Sequence, residues 1–177
     1  MRRLLDALYA AGAGLAALSL LAIFLVMMAQ VVLREMQMQF PAADDISAYL
    51  CVSTTFFALA ATFKRGELIR VGMLLEKLGP GPRRWAEAGV LLLAAALLAY
   101  ITRWVFQDMM FSYEIEEVAQ GTVPIPLWIP KIAMPAGSAL LLIAVLDELV
   151  TVLRGQKPGY VVAAEERAAA GDFSAEV

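Results

Sequence analysis

Apolar residues in this chain gather in long blocks, and the polar positions fall between the blocks rather than alternating with them. The first block reads ALYAAGAGLAALSLLAIFLVMMAQVVL, the second ISAYLCVSTTFFALAATF. The third centres on VLLLAAALLAYI and the fourth on SALLLIAVL. Crossing the hydrocarbon of a bilayer takes about 20 predominantly apolar residues in a helix. The pattern therefore predicts an all-α integral membrane protein with four transmembrane helices, over about 7–33, 46–63, 85–105 and 127–152. Together they form one membrane domain, 1–153. Residues 154–177 follow as a polar tail rich in small residues, expected to be partly disordered.

Composition agrees with lipid as the solvent. Of the 177 residues 61% are hydrophobic and 18% charged, against about 45–50% and 25% in a soluble domain. A net charge of −3, with no basic cluster interleaved with aromatics, excludes nucleic acid as a partner. The single cysteine, Cys51, reads as a small buried apolar residue. Histidine is absent, which removes the commonest metal ligand and acid–base group. Arg2 and Arg3 could open a signal peptide. The apolar run after them is about twice a signal core and ends at LREMQ without a cleavage site, so the first helix is expected to be retained.

Lysine and arginine mark the cytoplasmic side of short loops. Arg2 and Arg3 lie at the start, and Lys64, Arg65, Arg70, Lys77, Arg83 and Arg84 around the second connection. Arg154, Lys157 and Arg167 lie in the tail, leaving only Arg34, Arg103 and Lys131 for the other face. Both termini are expected in the cytoplasm. Asp44 and Asp45 then open the second helix at its outer end, where the helix dipole favours acids. The stretch KRGELIRV marks that helix's cytoplasmic exit. Beyond it Leu68, Val71, Leu74, Leu75 and Leu78 form one stripe, with Glu67, Arg70 and Lys77 largely off it. This predicts an amphipathic interfacial helix between helices two and three, stopping at GPGP.

Transporters and proton pumps usually place ionisable groups at membrane depth. Here the charged residues lie near the predicted ends, and the deep polar groups are Ser19, Ser53, Thr54, Thr55 and Ser138. Hydroxyls of this kind satisfy themselves on backbone carbonyls or hold a neighbouring helix. The fourth block opens as TVPIPLWIPKIAMPAG. Pro124, Pro126 and Pro130 suit a rigid approach, and Pro135 should kink the helix or free a carbonyl. Gly137 permits close approach of another helix, and Trp128 suits an interfacial anchor. The carboxylate pairs Asp44–Asp45, Glu116–Glu117 and Asp147–Glu148 are sequence neighbours, which point apart on a helix and make no acid–base dyad; a solvated or capping role is expected. Neither a catalytic constellation nor a metal or cofactor motif is present, and no enzymatic activity is expected.

In order and spacing, these segments resemble the small membrane subunit of tripartite ATP-independent periplasmic (TRAP) transporters, over roughly residues 4–153. Arg34 closes helix one and Asp44–Asp45 open helix two. TFFALA and KRGELIRVG stand where the family reads TFLGAA and RRGEHIRVD. PIPLWIPKIAMPAG follows the family's pattern with Pro126, Trp128, Pro135 and Gly137 in place. Ala58, Leu68 and Gly72 replace the family's glycine, histidine and aspartate, and PAADD lacks its aromatic, so roles of those residues do not carry over.

The resemblance implies a bacterial inner-membrane scaffold paired with a large permease subunit. That larger subunit would hold the solute and sodium sites and move as an elevator, and a periplasmic solute-binding protein would dock on the assembly. The cargo would be an organic acid. Partner or lipid contacts are expected at Arg34, Asp44, Asp45, Lys64, Arg65, Glu67, Arg70, Arg83, Arg84, Trp128, Pro135 and Gly137, with phospholipid phosphates meeting the basic ones. An autonomous four-helix transporter or channel is the first alternative; it would need an acid deep in a helix. A membrane anchor of a redox complex is the second, and the lack of histidine opposes a haem form of it.

Overall fold

The computed structural model describes residues 2–65, 80–121 and 123–155, with Gly159 and Val162. Its elements are α1 (Arg2–Glu35), α2 (Ala43–Arg65), α3 (Pro80–Glu114), the short α4 (Trp128–Lys131) and α5 (Ala133–Leu153). Among the described residues four helical stretches are long and apolar enough to cross a bilayer: Leu5–Glu35, Ala43–Arg65, Arg84–Glu114 and Trp128–Leu153. The start of the first and the end of the fourth lie at the same end of the bundle, where Tyr9 and Glu148 both approach Lys64. The amphipathic segment expected after α2, with Glu67, Arg70 and Lys77, lies outside the described residues, as does most of the tail.

Spatial order differs from chain order. α1 packs along α2, α2 along α5, and α5 along α3. α2 and α5 are therefore the middle of the bundle, and α1 and α3 its flanks. Burial follows: Ala144, Val145, Leu149 and Val152 of α5 meet Ala60 and Phe63 of α2, Ala88, Leu91 and Ala95 of α3, and Tyr9 of α1. Alanine dominates this core because small side chains let helix backbones approach, which is how helices associate when lipid supplies no hydrophobic drive. Long apolar side chains such as Leu18, Phe24, Leu93 and Phe106 face outward instead. Cys51 is also exposed, contrary to its expected burial. Where the surroundings are hydrocarbon, an apolar thiol has no need of the protein interior.

Helix ends depart from the expected spans for local reasons. Pro80 and Pro82 start α3 rather than only ending what precedes it, because the first helical turn has no intrahelical acceptor for its N–H groups. α1 runs on to Glu35 and α3 to Glu114. Both close in the same way: Met38 N–H donates to the Leu33 carbonyl (2.9 Å) and Gln37 N–H to Arg34 (3.1 Å); Glu117 N–H donates to Ser112 (3.0 Å) and Glu116 N–H to Tyr113 (3.3 Å). This is the Schellman closure, with Gln37 and Glu116 at positive φ in the place glycine usually takes.

After α3 the chain doubles back. Ala119 N–H donates to the Ile125 carbonyl (2.8 Å) and Leu127 N–H to Glu117 (2.9 Å), around an antiparallel bridge between Val118 and Pro126. Pro124 and Pro126 thus serve the rigid extended approach expected of them. The fourth span is interrupted at Ile132, and Pro135 sits in the first turn of α5. Proline has no N–H for the Lys131 carbonyl four residues back, so the helical ladder breaks there. The hydroxyls behave as the sequence implies. Ser53, Thr54 and Thr55 donate to the carbonyls of Tyr49, Leu50 and Cys51, and Ser138 to that of Pro135.

Candidate partner and lipid interface

Polar side chains gather at the two ends of the bundle. At the end carrying the termini, Lys64 closes α2 and reaches across to α5. Its ammonium lies 2.6 Å from Asp147 and 3.0 Å from Glu148, and 5.3 Å from the centre of the Tyr9 ring of α1. Glu148 is only 1% exposed and also accepts the Gly159 N–H at 2.8 Å. Three helices are thus tied at one level by one cation. Glu148 is therefore shut from solvent while Asp147 stays partly exposed, and the Lys64 ammonium is taken up by contacts within the bundle. The register of α5 carries the signal that could have shown this. Glu148 falls three and four residues from Val145 and Val152, on the buried stripe.

Arg84 stands in the first turns of α3, where a cation opposes its own helix dipole. Its guanidinium serves another helix. Nε donates to the Val152 carbonyl at 3.1 Å and Nη2 to that of Leu153, so Arg84 caps the C-terminus of α5. The chain then turns at Gly155, φ 76°, directly under it. Arg83 precedes it in the same helix, and Arg65 is exposed at the end of α2. Glu67 and Arg70 lie outside the described residues.

At the opposite end, Lys131 lies 2.9 Å from Asp108 and 3.2 Å from Glu117, and donates to the Ser112 hydroxyl at 2.6 Å. Ser112, fully buried, in turn donates to Glu117 at 2.5 Å. This hydroxyl, with the Lys131 ammonium, holds the Glu117 carboxyl below the ordinary 4.5. Trp128 stacks edge-on against Tyr113 at 5.6 Å. On the α1–α2 side, Arg34, Gln30, Gln39, Asp44 and Asp45 line a cavity of about 460 Å³. Gln30 donates to Asp44 at 3.2 Å, and Asp45 packs against Gly121, where a Cβ would fall 2.2 Å from its carboxylate. Arg34 and the acidic pair, distant in the pattern of blocks, are thus brought together. Pro135 and Gly137 are buried in the α2–α5 contact instead.

Among the described residues no group of three or more acids or cysteines is placed to hold a metal. The site is one of ion pairs and packing surfaces at the ends of a four-helix membrane bundle. Residues 23–155 match the model of the DctQ component of the tripartite ATP-independent periplasmic transporters, and the chain belongs to that family, the small membrane component of these systems. It is an inner-membrane, multi-pass protein. No curated protein matches the chain closely enough to count as a relative.

Proposed function

We propose that this chain is a static support for a large elevator-type permease subunit, in sodium-coupled uptake of an organic acid delivered by a periplasmic binding protein. Both termini then lie in the cytoplasm, with the Lys64 cluster at that face and the Lys131 cluster at the periplasmic face. One observation carries the reading. Among the described residues the Lys64 and Lys131 ion pairs sit at the two ends of the bundle, and between them the packed helices present alanine, glycine and hydroxyls such as those of Ser53, Thr54 and Ser138, which donate to their own helix. A moving solute or ion would need polar groups linked through the middle; a brace needs anchors and close packing.

In this reading Arg34, Asp44 and Asp45 meet a partner from their open cavity, and Arg65, Glu67, Arg70 and Arg83 meet partner acids or lipid phosphates. Trp128 fixes depth. The test is gentle-detergent purification of the tagged chain followed by reconstitution. A large multi-span permease should accompany it, and uptake should require that permease. Solute flux through liposomes holding this chain alone would overturn the proposal.

A further inference from the structure

We infer that the turn between α1 and α2 and the hairpin after α3 form one docking surface, for a soluble protein with a basic rim around an apolar centre. The inference rests on the reading above, in which this end faces the periplasm and a binding protein comes to it; it adds the surface, its charge and its residues. The two segments are joined. Gly121, near the tip of the hairpin, packs on Asp45 in the first turn of α2, and Gly121 and Met38 line the same cavity.

Long apolar side chains stand open on both segments: Met36 and Met38 on the turn, Ile115, Val118 and Val123 on the hairpin. Met36 is 63% exposed and Ile115 52%. Leu93 is as open, but it lies within an apolar block where lipid covers it. Hydrocarbon does not cover the other five in that way. Met36 and Met38 alternate with Glu35, Gln37 and Gln39, and Ile115 and Val118 enclose Glu116 and Glu117. Carboxylates at membrane depth are expensive, so segments this charged stay at the aqueous end. An open apolar patch with a polar rim in water marks a protein–protein site, and methionine adapts its shape to a partner's contour.

Charge selects the partner. From residue 34 to 45 and from 114 to 131 the cations are Arg34 and Lys131, and Lys131 is taken by Asp108 and Glu117. Glu35, Asp44, Glu114 and Glu116 are exposed and make no ion pair among the described residues. This surplus of carboxylate repels a second copy presenting the same face and the phosphates of anionic lipid. It attracts lysine and arginine, which steer the encounter while the apolar centre holds the complex.

The full chain, with the permease that accompanies it, is placed in phosphatidylcholine nanodiscs and titrated with the purified binding protein of the same transporter. The chain alone is run in parallel, so the result stands whether or not a permease is found. The wild type should bind in both forms, more weakly as salt rises. Glu114→Lys with Glu116→Lys should raise the dissociation constant about tenfold and reduce its salt dependence. Met36→Ser with Met38→Ser should weaken binding and leave the salt dependence as it was. Leu93→Ala should bind as the wild type does. Absence of binding by the wild type in either form, or unchanged binding in both double variants, overturns the inference; a permease that still co-purifies leaves the support reading standing. A photo-crosslinker carried by Val118→Cys should capture the binding protein, and capture of the permease, a second copy or phospholipid in its place overturns the inference.

Discussion

Gly137 of α5 lies against the backbone of Phe56 in α2, so closely that a Cβ on the glycine would come within 2.5 Å of the Phe56 carbonyl carbon and oxygen. The obstacle is main chain and cannot rotate aside. Gly12 does the same more loosely on the other side of α2, where a Cβ would stand 3.2 Å from the Phe57 carbonyl. Adjacent residues of α2 therefore seat α1 and α5 on its two sides.

Gly137→Ala should separate α2 from α5 and cost at least the roughly 1–3 kcal/mol of an overpacked core, seen as a lowered unfolding temperature in detergent. Gly89, in α3, has nothing within 4 Å of its added Cβ. Gly89→Ala should be neutral or stabilise by about 0.5–1 kcal/mol, the helix cost of glycine. Equal effects at both sites would mean that contact with Phe56 does not matter.

Lys64→Met should be the most damaging single change at the terminal end, because it leaves Glu148 buried with no cation. Breaking a buried pair costs about 3–5 kcal/mol, and the partial exposure of Lys64 puts this one near 3. Glu148→Gln on the Lys64→Met background should restore most of the loss, since the amide needs no counter-charge and its oxygen still accepts from Gly159. A double-mutant cycle measures it. Additive losses would show that Lys64 and Glu148 do not act on each other.

The four spans were legible because bilayer thickness sets a length that an apolar block must meet. Their ends were less so. Gln37 and Glu116 close α1 and α3 in a conformation that sequence reading assigns to glycine, and only Gly155 carried the usual sign. Pro135 announced a disturbance in the fourth span, but the break falls at Ile132, one turn earlier, where the missing N–H is felt. At the site, Arg34 was readable as the close of one helix and Asp44–Asp45 as the opening of the next, but not the cavity they share. The pairing of Lys64 with Asp147 and Glu148 was not, because it depends on α2 lying beside α5, an order that hydropathy does not encode. Arg84 was read as a mark of sidedness and as a contact for a partner or lipid. Its role on the carbonyls of Val152 and Leu153 exists only once α3 and α5 are neighbours.

Arg84→Gln should loosen that join. Hydrogen bonds from a charged donor contribute about 1.5–3 kcal/mol when shielded, and exposure here lowers the figure to about 1. The amides of the last turn of α5 should exchange faster with deuterated solvent, while those around Gly137 keep their protection. Arg84→Lys should not restore the cap, because one ammonium cannot span two carbonyls as the guanidinium fork does. Unchanged exchange in Arg84→Gln would remove the cap from the account.

Acid below the ordinary carboxylate range should loosen the turn between α3 and α4. The Ser112 hydroxyl and then the Lys131 ammonium favour the charged form of Glu117, so its native value lies below the ordinary 4.5. Unfolded chain therefore takes up the proton more readily than folded chain. The stabilisation is fully present above about pH 4.5 and is lost as pH falls through the depressed native value. Trp128, stacked on Tyr113 beside this cluster, reports the change if the other two tryptophans are replaced by phenylalanine. Its fluorescence should be level above the ordinary carboxylate range and shift only below it. Ser112→Ala removes the larger cause and should move the midpoint upward, toward the value of a free carboxylate; Lys131→Gln should do so as well, with Asp108 also released. A midpoint that stays in place in both variants would show that Glu117 is not held by these two groups.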